Sequence, residues 1–89
     1  KKMVVKVIYG GLPDASKEKA VEHFQTAIEL APDYINHHLE LGMTYETMAD
    51  WQKAQEAYET ALSLSTQAPE DSRYIMQARK RLDKVEKEL

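Results

Sequence analysis

The sequence contains no cysteine, so neither a disulfide framework nor a thiolate metal site can form. It has three glycines, and Gly10-Gly11 is too short to cradle a phosphate. Glycine-rich nucleotide loops, the HExxH zinc pattern and any nucleophile–base pattern are absent. These absences argue against an enzyme and call for no cofactor. No apolar run approaches the roughly 20 residues that span a bilayer. The basic-then-apolar start, Lys1-Lys2-Met3-Val4-Val5, is too short for a signal peptide. Positive charge is not concentrated either. Net charge is −3, and residues 70–89 carry six Lys/Arg against five Asp/Glu. Nucleic acid is therefore not an expected partner.

What the chain does have is a period. Ala20, Phe24 and Ala27 recur as Ala54, Tyr58 and Ala61, each pair 34 positions apart. Each trio falls on one helical face, at i, i+4 and i+7. Two small residues flanking an aromatic let a neighbouring helix approach and receive the ring. Leu41-Gly42 and Tyr45 precede the second trio. Glycine inside a helix costs about 1 kcal/mol relative to alanine, so Gly42 is expected to mark close helix–helix contact. A fixed period of this length implies stacked helical units that need neighbours to bury their apolar faces. Hydrophobic residues make up 43% and charged residues 30% of the 89 positions, which suits one small helical domain.

Leu41, Gly42, Tyr45, Ala54, Tyr58 and Ala61 together resemble the tetratricopeptide repeat. The resemblance covers one full repeat, about residues 33–65, and the second helix of a preceding one, about 15–31. Pro32 stands where that family ends a repeat. His38 occupies a position where the family favours a large apolar residue, Ala49 replaces the usual turn glycine, and Pro69 comes three residues late. The resemblance implies an all-α fold, a stack of antiparallel helix hairpins. In this register residues 1–32 form a partial first repeat, 33–68 a second repeat and 69–89 a C-terminal capping helix. The stretches Ala31-Pro32-Asp33-Tyr34 and Ala68-Pro69-Glu70-Asp71-Ser72 are also similar to the C-terminal part of the regulator-of-microtubule-dynamics proteins. That likeness implies a scaffolding or organelle-associated role.

Five helices are expected. The first, 2–11, is β-branched and could read as a strand, but a lone strand would have no sheet to join. The others are about 15–31 with Asp14 or Ser16 as cap, 33–48 after Pro32, 51–64 capped by Asp50, and 69–88 opened by Pro69. In the last, Ile75, Ala78, Leu82, Val85 and Leu89 form a heptad-like stripe. It reads as the inner face of a terminal helix, with a coiled-coil surface as the rival. The start without methionine and the incomplete first repeat suggest a piece of a longer protein, whose exposed repeat ends would accept a missing neighbour or a second copy of the chain.

His23, His37 and His38, with Glu40 nearby, are the residues that could be weighed as metal ligands, but no metal site is expected, and His23 and His37 are expected to face solvent. Adjacent helical residues point about 100° apart, so His37 and His38 cannot easily share an ion, and His38 is expected to be a packing residue. Trp51 follows its cap and is expected to pack on the hairpin. The family resemblance implies that the first helix of each repeat lines a concave groove. Here those positions are Asn36, Leu39, Met43 and Glu46, and in the first helix Lys2, Val5 and Tyr9. Leu39 and Met43 stand where a carboxylate clamp would need lysine and asparagine. The expected function is thus a non-catalytic protein–protein interaction module whose partner is a protein or peptide, such as an amphipathic helix in an apolar groove. The alternative is a structural or self-associating segment whose groove is already filled by its own last helix or an upstream one.

Overall fold

The computed structural model describes residues 14–89, with side chains from Ser16 onward. The expected first helix, with Lys2, Val5 and Tyr9, lies outside the described residues. The described residues form four helices and no strand: α1 Asp14–Leu30, α2 Ile35–Thr47, α3 Trp51–Ser63 and α4 Asp71–Glu86. The helix α2 is central. It packs against α1, α3 and α4, and α3 also packs against α4.

Local chemistry sets the boundaries. After α1, the Ala31 amide bonds back to the Ala27 carbonyl, and the Tyr34 amide bonds to the Ala31 carbonyl across a Pro32-Asp33 turn. Tyr34 is extended at the N-terminus of α2, so α2 starts two residues later than Pro32 alone suggests. Three residues join α2 to α3. Ala49 takes φ 56°, the left-handed conformation for which glycine is the usual choice. Asp50 caps α3 as expected, its side chain accepting from the Lys53 amide at 3.3 Å. Ser16 lies inside α1 and is not a cap.

The last helix begins at Asp71, not Pro69. The Asp71 carboxylate folds back on the preceding loop, where its Oδ2 accepts from the Gln67 amide at 2.7 Å and the Ala68 amide at 2.9 Å. The Asp71 amide itself donates to the Ala68 carbonyl. Pro69-Glu70 is therefore a turn that delivers the chain into α4.

The core is built from the Ala54–Tyr58–Ala61 trio and the central helix, and of the first trio Phe24 packs against it. Ile35, Ala54, Tyr58, Ala61 and Ala78 are fully buried, with Leu39 and Val85 at 1% exposure. Val21, Phe24 and Ile28 of α1 are partly buried against this cluster, as are Trp51, Ile75 and Leu82. The α4 stripe faces inward as far as Val85, and Leu89 is left exposed. The helix is thus apolar on one side only. The central helix is buried at Ile35, His38, Leu39, Leu41, Gly42, Thr44 and Tyr45, because three neighbours pack on it.

Candidate functional site

The α2–α3 hairpin closes on one aromatic ring. A β-carbon on Gly42 would fall on the Tyr58 ring, 2.7 Å from Cδ1 and 2.8 Å from Cζ. Glycine lets the ring lie against the α2 backbone. The ring then spans the hairpin, and its hydroxyl donates to Glu46 Oε1. Arg81 of α4 donates to the same oxygen at 3.3 Å. Burial, then the bond to Glu46, pushes the Tyr58 phenol well above its ordinary range. Glu46 therefore joins three helices.

These contacts also fix direction. Tyr74 lies beside Tyr34, each near the start of its helix, and Arg81 reaches Glu46 further along. Helix α4 therefore runs the same way as α2. The neighbouring Tyr74 phenol is the first cause, ahead of burial, of the raised pKa of the Tyr34 phenol.

The four expected contact residues share one face of α2 but differ in what they do. Leu39 is 1% exposed and belongs to the core. Glu46 is held by Tyr58 and Arg81. Met43 is partly buried against the core cluster, and Asn36 is partly exposed. Of the line read from sequence, Asn36 and Met43 are partly exposed, while Leu39 and Glu46 serve contacts within the chain. For Glu46 the physical reason is the docking of α4 on α2, which brings Arg81 to its carboxylate.

No group of three His, Asp or Glu side chains among the described residues is placed to hold a metal ion. His38 is buried at 7% exposure, and its Nε2 donates to the Pro32 carbonyl at 2.8 Å. That bond ties α2 to the turn before it and sets the tautomer. His37 packs edge-on against Tyr34, with ring centroids 4.6 Å apart. Desolvation lowers its pKa, and the neighbouring His38 and His23 act in the same direction. Trp51 packs on the core as expected.

Two features escaped the sequence reading. An open groove of about 580 Å³ runs between α1 and α3, floored by Ile28, His38, Leu41, Tyr45 and Ala57 and edged by Glu29, Glu56 and Lys53. Its wall residues come from three different helices, so no local pattern announces it. Asp71 is the second. It is 2% exposed, and its Oδ1 has no hydrogen-bond partner. Its position in the first turn was legible, but its burial follows from the loop that wraps it.

No curated protein and no solved structure matches the chain. The family model described as regulator of microtubule dynamics protein 1-3 matches residues 1–86, and the chain belongs to that family.

Proposed function

We propose that the chain is a non-catalytic protein-interaction domain of a regulator of microtubule dynamics, built as a tetratricopeptide-type stack. The family match over residues 1–86 carries the reading. Its repeat architecture is supported by the full burial of Ala54, Tyr58 and Ala61, by the close approach at Gly42 and by the shared direction of α2 and α4. The division into a partial repeat (1–32), a complete repeat (33–68) and a capping helix (69–89) is part of this reading. A preformed surface of this kind binds without a large ordering penalty. Asn36 and Met43 offer its accessible contacts, with Leu39 and Glu46 setting the shape beneath them.

A structural role for the segment is the second reading. It is favoured by one observation, that two of the four groove positions are already engaged within the chain.

The test is tubulin assembly followed by turbidity, with pelleting of the chain alongside the polymer. The first reading expects the chain to change assembly and to co-sediment, and expects the Asn36→Glu, Met43→Gln variant to lose both while remaining helical. No change in assembly with the unmodified chain would refute direct action on microtubules and support the structural role.

A further inference from the structure

Exposed strips of α1 and α4 carry opposite charge in matching registers, the α1 strip meeting the rim of the groove at Glu29. On α1, Glu18, Glu22 and Glu29 are exposed and separated by 4 and 7 residues. At 100° per residue they fall within one narrow strip. On α4, Arg73, Lys80 and Lys84 are exposed and separated by 7 and 4 residues, again on one strip, opposite the buried Ala78 and Val85. Antiparallel to one another, the strips place Glu18 by Lys84, Glu22 by Lys80 and Glu29 by Arg73, at axial steps of about 6 and 10 Å. Among the described residues, none of these six side chains is in an ion pair.

The fold does not call for either strip. Glu18–Glu22 and Lys80–Lys84 are like-charge pairs at i, i+4, which weaken an isolated helix. An opposing strip removes that repulsion. The two strips lie on different helices of the same chain. Helix α1 packs on α2, whereas α4 packs on α2 and α3.

We propose that the α4 face docks on the α1 face of a second copy of this chain, head to tail. The contact is heterologous, so each added copy still presents one free strip of each sign, and growth continues unless the rotation closes a ring. Exposed ion pairs are individually weak. Three in register steer the encounter and fix its orientation more than they add affinity. The association is therefore weak and salt-sensitive. The proposal goes beyond the reading of the α2 face and shares no residue with it.

The experiment is sedimentation velocity over a concentration series at low and high salt. The samples are the unmodified chain, an α4 variant (Arg73→Glu, Lys80→Glu, Lys84→Glu), an α1 variant (Glu18→Lys, Glu22→Lys, Glu29→Lys) and an equimolar mixture of the two variants. Circular dichroism checks each fold. If a triple variant melts, Lys80→Glu and Glu22→Lys carry the same comparison. The unmodified chain should associate at low salt and weaken by about tenfold or more at high salt. Each variant alone should be monomeric, and the mixture should recover association. Monomer at every concentration, variants that associate like the unmodified chain, or a mixture that stays monomeric would each overturn the proposal. So would binding of polyglutamate to the α4 strip without self-association, which would assign that face to an acidic segment of another protein. The Asn36→Glu, Met43→Gln variant should associate normally, which separates this test from that of the α2 face.

Discussion

The Tyr58 ring occupies the space that a β-carbon on Gly42 would need. The ring cannot easily move aside, since it is fully buried and its hydroxyl is bonded to Glu46. Helix propensity alone favours alanine over glycine by about 1 kcal/mol. Overpacking a closed site costs about 1–3 kcal/mol, and here the overlap outweighs the propensity gain. Gly42→Ala should lower stability by about 1–2 kcal/mol in urea unfolding followed at 222 nm. In a Tyr58→Leu background the same change should become neutral or stabilising, which assigns the effect to this pair.

Leu39 and its neighbours on the α2 face should separate cleanly. Leu39→Ala removes a buried side chain and should cost about 2–5 kcal/mol. Leu39→Glu buries a charge and should abolish the cooperative transition. Asn36→Ala, at a partly exposed position, should stay within about 0.5 kcal/mol of the unmodified chain. Equal, small effects at positions 36 and 39 would show that Leu39 is a surface residue.

These contrasts mark how far the sequence reaches. The helix order, the buried Ala54–Tyr58–Ala61 face and the Asp50 cap follow from periodicity and turn chemistry, which are local. So does the inward stripe of α4 as far as Val85. The fate of Leu39 and Glu46 is not local. Leu39 is buried by packing among the helices, and Glu46 is engaged only once α4 brings Arg81 to it. The net charge of residues 70–89 was equally uninformative. It averages the outward strip of Arg73, Lys80 and Lys84 with acids on the flanks of the same helix, and only the helical projection separates them. Tetratricopeptide likeness identified Ala49 as a departure, and its left-handed backbone shows why the family places glycine there.

Ala49 gives a stabilising substitution. A left-handed residue with a β-carbon costs about 1–2 kcal/mol, while glycine loses more freedom on folding by roughly 0.5–1 kcal/mol. The balance favours glycine at φ 56°. Ala49→Gly should raise the unfolding midpoint slightly, by about 0.5 kcal/mol of stability. A drop in the midpoint would show that chain entropy dominates this turn.

Tyr58 should titrate late. Its phenol is raised above the ordinary 10.0, so the folded chain retains a proton that the unfolded chain releases. Stability from this group is present below pH ~10 and declines as pH rises beyond it. An absorbance titration of the tyrosinates should show Tyr58 ionising only together with loss of the helical signal. Tyr58→Phe should remove that coupled step. Ionisation of every tyrosine in a folded chain would contradict the buried, Glu46-bonded phenol.

Asp71 organises the approach to α4 through two loop amides. Asp71→Ala leaves both without their acceptor and should cost about 1–3 kcal/mol. Hydrogen exchange should quicken first at Gln67 and Ala68. Asp71→Asn keeps one acceptor oxygen and should be milder. Equal exchange rates in all three chains would show that solvent already serves these amides.

Glu46 has a consequence for how the molecule comes apart. Its Oε1 is shared by a side chain of the hairpin and one of the end helix. If α4 were to peel away, Arg81 would leave the carboxylate, and the wall around Ala78 and Val85 would open at the same time. The hairpin would be left with an unneutralised carboxylate, bonded by a neutral phenol, next to a solvent-exposed core. Loss of α4 therefore exposes the core and frees the Glu46 anion in one step, which couples the end helix to the hairpin.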